Sequence, residues 1–584
     1  MAMRHWASGK FKVGREVMVD LRIKPFYLTE EQIRWVEETR DDMTLEEKVG
    51  QLFLIMYPGS REAVEKLSQE GINPGGYLLR SAKAEQVRET IVMLQDSASI
   101  PLFIAGDLER GAQNMIEEGT SYGCQMAIAA ANDSEIAYRA GLCCGSEAAT
   151  VGVNWNFGPI VDIDYNYHNP ITNIRTFGFN PERIMENARA LAKGLRDGGI
   201  IPCMKHWPGD GRDERDQHFL ASINDCTVEE WDATYGKIYQ AMIEDGTETL
   251  MTAHIMLPFY SRFYNPDIKD EEILPGSLNA DLHNKLLRGK LGFNGLIITD
   301  ATTMAGFTEV MSRSQAVPAS IANGADMFLF THCMEEDYGY MLEGVKSGVI
   351  LPERLDEAIT RILALKARWK LPEKKAAGTL VPGEENLSIF REKKGAALAE
   401  EIADKSITLV KDTQHLLPIN LDKQKRIYLV TLGDEPNYHN AKGGYAEYFA
   451  KKLEEKGFQV KRYNPDEKPY EYGSGKMEAF LKKYDMVIYF ANVTTRNNDS
   501  AARISWPGER RDTVPCMMNE LPILMVSVDN PYHLVDAPRI RTYVNAYTSS
   551  EVVIDKLVEK LLGESEFQGV SPIDPFCGVF NAKY

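Results

Sequence analysis

From about residue 44 to about residue 370 the chain repeats one alternation, a short apolar run followed by an amphipathic stretch or a long loop. The runs cover residues 50–56, 76–79, 102–107, 153–162, 200–206, 250–254, 296–300 and 326–331. Helix candidates at 132–150, 181–194, 228–244, 279–291 and 318–323 lie between them. Strands alternating with helices imply a parallel sheet, and about eight units of this length suggest a closed (β/α)8 barrel of the TIM type. An open doubly wound sheet is the competing architecture.

The polar residues favour the barrel. Five runs end in a side chain capable of chemistry: Asp107, Asp162, the pair Lys205-His206, His254 and Asp300. In a barrel all carboxyl strand ends converge on one rim, so residues far apart in sequence surround one pocket. A single strand-end Asp is often a helix cap, but five such endings exceed what capping explains.

The fifth run leads into K-H-W-P-G-D-G-R-D-E-R-D-Q-H, residues 205–218. Pro208, Gly209 and Gly211 force a turn. Asp216 stands two residues before His218, a spacing that lets the carboxylate hold one ring nitrogen while the other handles a proton. Asp300, short and flanked by small residues, is the nucleophile candidate for an acetal carbon. Asp216 and His218 supply the proton donor that such a reaction needs, because an imidazole has an unperturbed pKa of about 6.5. Asp107, Arg175, Lys205 and His206 suit the hydroxyl groups of a polyol.

The remaining features narrow the partners. With 66 Lys and Arg against 85 Asp and Glu, the formal net charge is -19, which argues against nucleic acid or an anionic membrane as main partner. No signal-peptide core and no run long enough to span a bilayer are evident, so a cytoplasmic protein is expected. The eight cysteines are scattered without metal-type spacing, and neither a metal-binding helix pattern nor a phosphate-loop pattern occurs. No cofactor or metal is expected, and a small carbohydrate is the expected partner.

Residues 1–30 read as an arm, 31–371 as the barrel, and 372–390, rich in Pro, Gly and charge, as a linker. Residues 391–584 read as a smaller α/β sandwich, with strands at 427–432, 486–490, 521–528 and 542–546 and helices at 440–456 and 551–562. A capping box is expected at Thr44 and Glu47. The loop Thr494-Thr495-Arg496-Asn497-Asn498-Asp499, continuing to Arg503 and Trp506, reads first as an ordinary exposed connection and second as a candidate to reach over a sugar site.

These segments resemble glycoside hydrolase family 3, in its β-N-acetylglucosaminidase branch. The family's K-H-[FW]-P-G-x-G and D-x-H stand here as Lys205–Gly211 with Asp216 and His218. N-x-x-F-x-P-V-x-D with R-[ST]-F-G is matched from Asn154 to Asp162 and from Arg175 to Gly178. A-H-x-x-x-P is matched by Ala253, His254 and Pro258, and L-G-F-x-G-x-I-x-[ST]-D from Leu291 to Asp300. The resemblance implies a retaining exo-acting β-N-acetylglucosaminidase in which Asp300 forms the glycosyl-enzyme. His218, steadied by Asp216, would be acid then base, and Asp107, Arg175, Lys205 and His206 would bind N-acetylglucosamine hydroxyls. The segment usually written D-x-E-G-G-R-V-x-R departs, with Ala112 and Met115 for its two arginines and Arg110 for a glycine. That leaves the sugar open, including β-glucosidase-type activity. Phosphorolysis is the second enzyme reading, because a neutral imidazole does not repel phosphate. A non-catalytic sugar-binding protein on the same barrel is the third.

Overall fold

The computed structural model describes residues 19–436, 443–464, 466, 476–495, 503–508 and 513–584. Most of the expected arm and residues Arg496 to Asp499 of the candidate loop lie outside the described residues.

The first half forms the barrel. Its strands are β1 (Phe53–Met56), β2 (Gly76–Leu78), β3 (Phe103–Gly106), β4 (Trp155–Asn156), β5 (Ile201–Trp207), β7 (Thr249–Thr252), β9 (Leu296–Thr299) and β10 (Phe328–Leu329). Two short strands between them, β6 (Ser222–Ile223) and β8 (Ile255–Met256), pair with each other outside the barrel. The eight barrel strands run parallel in the order β10-β1-β2-β3-β4-β5-β7-β9. A bridge between Ile298 and Met327 closes the ring, which excludes the open sheet. Each apolar run overlaps one strand, so the period of the sequence is the period of the fold.

Strand lengths follow local chemistry. β4 has two residues because Gly158 and Pro159 interrupt it, and proline brings no ladder donor. The chain nevertheless stays alongside β5, since Val161 N donates to Lys205 O at 2.7 Å. The barrel interior is filled by large rings, with Phe103 and Trp155 centroids 5.0 Å apart and Trp155 Nε1 donating to Thr249 Oγ1 at 3.0 Å. The Thr44–Glu47 capping box starts the helix Leu45–Gln51, which occupies the front of the first apolar run. The helix expected at 228–244 is present but carries a π-helical stretch, Asp232–Gly236.

The second sheet holds six strands in the order β11-β16-β15-β14-β12-β13. They are β11 (Thr408–Asp412), β12 (Arg426–Gly433), β13 (Gln459–Arg462), β14 (Met486–Asn492), β15 (Ile523–Ser527) and β16 (Thr542–Asn545). All pair in parallel except β11 with β16. Each face carries its own apolar cluster, one around Phe449, Leu453 and Leu557 and one around Phe480, Met517 and Leu534. The architecture is thus a parallel α/β barrel followed by a smaller α/β sandwich. Within 372–390, read as a linker, Leu380, Val381 and Leu387 pack on the barrel core, and a 3-10 stretch, Glu384–Arg391, follows.

Candidate active site

The strand ends deliver their polar residues to one rim. Asp300 follows β9, its N–H donating to Thr252 O at 2.7 Å while its own Oδ1 accepts from Ala301 N at 2.7 Å. Burial pushes this carboxyl up, but the imidazoles of His206, His254 and His218 and the Ala301 N–H outweigh it and hold it below its ordinary value. Asp300 is therefore an anion among imidazoles, as a nucleophile at neutral pH has to be.

The loop after β5 folds over this carboxylate. Asp216 is buried, and its Oδ1 takes two bonds from His218, the main-chain N–H at 2.8 Å and ring Nδ1 at 2.6 Å. A proton on Nδ1 leaves Nε2 as the basic nitrogen. Three bonds then latch the loop to the residues after β9 and β7: Ala305 N to His218 O at 3.0 Å, Gly306 N to Gln217 O at 3.1 Å, and His254 N to Gln217 Oε1 at 2.9 Å. The β6–β8 pair extends the latch. Gly211 makes the bend possible at φ 111°, where a Cβ would lie 1.7 Å from Ile163 O. Asp300 and the Asp216–His218 pair are thereby brought to one place.

His254 is buried with both ring nitrogens engaged, Nδ1 with Ser277 Oγ at 2.8 Å and Nε2 with Ala301 O at 3.1 Å. Burial lowers its pKa despite the nearby Asp300 charge, and its two ring bonds make it a brace for the turn that carries Asp300.

The opposite edge is an ion cluster. Lys205 Nζ lies 2.8 Å from Asp107 Oδ1 and 2.7 Å from Glu109 Oε1. Arg175 grips Glu109 with Nε at 2.9 Å and Nη2 at 2.7 Å. Burial opposes every charge here, yet Arg175 and Lys205 together hold Glu109 well below the usual carboxylate range, and the carboxylates raise both cations. Side-chain exposure separates the roles: 58% for Asp107 against 3% for Lys205 and 15% for Glu109. Asp107 is the member that faces the opening. His206 forms a second carboxylate–imidazole pair, with Nδ1 2.6 Å from Asp162 Oδ2.

All seven residues singled out from the sequence, Asp107, Arg175, Lys205, His206, Asp216, His218 and Asp300, thus lie on strand ends or rim loops: Glu109 joins Lys205 and Arg175 beside Asp107, Asp216 pairs with His218, and His206 and His218 both act electrostatically on Asp300. Sequence reasoning passed over Glu109 and noted Asp162 as a strand end without giving it a role. Both were visible, Glu109 in the departing D-L-E segment and Asp162 at the end of the fourth run, but neither had a partner until the fold brought Lys205, Arg175 and His206 to them. Ala112 and Met115 are buried in a turn behind Asp107. Arg110 lies close enough to the buried Asp529, two residues past β15, to lower it electrostatically, although burial still leaves Asp529 raised.

The description "Glycosyl hydrolase family 3 N terminal domain" fits residues 44–365. This chain belongs to glycosyl hydrolase family 3 and is a glycosidase-type enzyme of that family. It is 43% identical over 564 residues to a beta-N-acetylglucosaminidase/beta-glucosidase of Cellulomonas fimi, covering 96% of this chain and 99% of that one. Among solved structures it is similar to a beta-glucoside phosphorylase bound to 2FGlc, with 45% identity, a TM-score of 0.90 and coverage of 96% and 99%. A family 3 beta-N-acetylglucosaminidase from Paenibacillus sp. str. FPU-7 is 25% identical with a TM-score of 0.74, over 92% of this chain and 100% of that one. Among the described residues no helix is long and apolar enough to cross a membrane.

Proposed function

We propose that the enzyme cleaves terminal β-linked N-acetylglucosamine or glucose from small glycosides through a glycosyl–Asp300 ester, with His218 as acid and base. The observation that carries this reading is the latch: a buried Asp216 fixes His218, and the same loop hydrogen-bonds the residues just past Asp300. In the first step an Asp300 oxygen forms a bond to the anomeric carbon. The bond to the aglycone oxygen breaks, and that oxygen takes the proton of the His218 imidazolium. Asp216, bonded to ring Nδ1, steadies the imidazolium before transfer. Asp107, Lys205, His206 and Arg175 hold the sugar hydroxyls, with Glu109 anchoring the two cations. Double displacement at one carbon gives net retention.

For the second step we favour phosphate over water as the acceptor. Many glycosidases use a second carboxylate as base, and its charge would repel an incoming phosphate by about 4 kcal/mol at 4 Å in a partly screened site. A neutral imidazole removes that barrier and can take the proton of a phosphate monoanion as the phosphate oxygen bonds to carbon and the Asp300 ester breaks. The name of the 45% identical relative, a beta-glucoside phosphorylase, supports the same reading. The test is product analysis with an aryl β-N-acetylglucosaminide and an aryl β-glucoside, with and without phosphate. Phosphate-dependent turnover yielding the sugar 1-phosphate is expected. Free sugar alone at every phosphate concentration would make the enzyme a hydrolase and leave the first step untouched.

A further inference from the structure

The segment that carries Arg175 has little regular structure beyond a 3-10 turn, Asn173–Arg175. Its shape is held from outside. Asp164, two residues past Asp162 and 3% exposed, accepts from Thr172 Oγ1 at 2.6 Å and from Asn173 N at 3.1 Å through Oδ1. Its other oxygen accepts from the hydroxyl of Tyr532, which follows β15 of the second sheet. Thr172 O in turn accepts Arg175 N at 2.8 Å, and Arg175 Nη1 returns to Ile171 O at 3.1 Å. A second tie crosses from Asn173 Nδ2 to Asn530 Oδ1 at 3.5 Å, and that oxygen also accepts Tyr532 N at 3.1 Å. The carboxyl-terminal tail supplies a third, with Phe179 N donating to Pro572 O at 3.2 Å. Gly178 leaves that carbonyl its place, since a Cβ there would lie 2.1 Å from it.

We infer that Tyr532 and Asp164 are positioning residues, through which the second sheet aims Arg175 and its Glu109 partner at the sugar. The inference rests on the reading above that Arg175 belongs to the sugar-binding edge. The chain of contacts is short: one hydroxyl, one carboxylate and three residues separate the second sheet from the guanidinium. Burial pushes the Asp164 carboxyl up to about 7, so near neutrality it accommodates either a charged or a neutral acceptor for Tyr532. Loss of the hydroxyl would let the 172–175 turn relax without touching Asp300 or His218. A loosened clamp weakens substrate binding more than chemistry, whereas partial unfolding lowers the active fraction and leaves KM alone.

The test is steady-state kinetics of the full chain on an aryl β-N-acetylglucosaminide, with thermal melts as control. Tyr532→Phe is expected to raise KM about tenfold with kcat within about twofold. Asp164→Ala should do the same, whereas Asp164→Asn, which keeps an acceptor for Thr172 and Asn173 and offers an N–H to the tyrosine oxygen, should restore KM. Arg175→Ala should raise KM by itself, and adding Tyr532→Phe to it should change little more, because both act through one group. If Arg175→Ala raises KM while Tyr532→Phe and Asp164→Ala leave it unchanged, or if the effects simply add, the inference is overturned and the role of Arg175 stands. If Arg175→Ala leaves KM unchanged, both fall together.

Discussion

At the scale of single residues the site is a set of carboxylates pulled in opposite directions. Asp300 is held ionised by imidazoles in spite of burial, whereas Asp210, in the loop after β5, is pushed up to about 7 by burial and by the neighbouring Asp162 charge. One oxygen of Asp210 takes bonds from Gly211 N at 2.7 Å and Asn169 Nδ2 at 3.0 Å, while the other is buried without a hydrogen-bond partner among the described residues. An unfolded Asp loses its proton near pH 4. Between that point and pH 7 the native state keeps a proton that the unfolded state has lost, so this residue makes stability fall as pH rises through the window. Asp210→Asn is therefore expected to raise the melting temperature at pH 8 and to lose that advantage near pH 4, read by melts across pH. A second expectation concerns His218. Its replacement by Ala should slow a glycoside with a poor leaving group by about 10²-fold or more, and an activated aryl glycoside far less, because the latter needs little protonation. Equal losses on the two substrates would count against His218 as the acid.

At the scale of elements, the strands announced themselves and the loops did not. All eight barrel strands coincide with apolar runs, because strands covered on both faces must be apolar throughout. β13 escaped notice for the converse reason: Gln459–Arg462 is an exposed edge with one apolar side chain. The helix Glu30–Asp42, at the start of the expected barrel, begins from a full capping box at Thr29 and Gln32 that the sequence reading did not include. The strand-end residues were legible because the barrel rule turns position along a strand into position on a rim. The partners of Glu109 and Asp162 were not, since each ion pair joins residues 44 or more positions apart and depends on side-chain direction. The loop bearing Asp216 and His218 depends on glycine geometry. Gly211→Ala is expected to cost about 2 kcal/mol or more in stability, since positive φ and the Ile163 carbonyl both exclude a side chain. It should also cut activity through the displaced imidazole, measured by melts and by kcat on the aryl glycoside.

At the scale of the whole molecule, barrel and sandwich share one set of contacts. Ile573 near the carboxyl terminus belongs to the barrel's apolar cluster, and Val570 N donates to Ala130 O at 2.9 Å. Removal of residues 569–584 is therefore expected to lower the melting temperature and raise KM, read on the truncated chain beside the full one. The alternation in the sequence disclosed two α/β units, but contacts such as Tyr532 with Asp164, 368 residues apart, carry no local signature. All of this serves one chemical event at the end of β9, and that event can be trapped. Incubation with a 2-deoxy-2-fluoro glycosyl fluoride, which slows release of the glycosyl-enzyme, followed by digestion and mass spectrometry, should place the sugar mass on the peptide holding Asp300 and leave Asp300→Asn unlabelled. Label on any other residue, or a persistent label in the variant, would contradict the account.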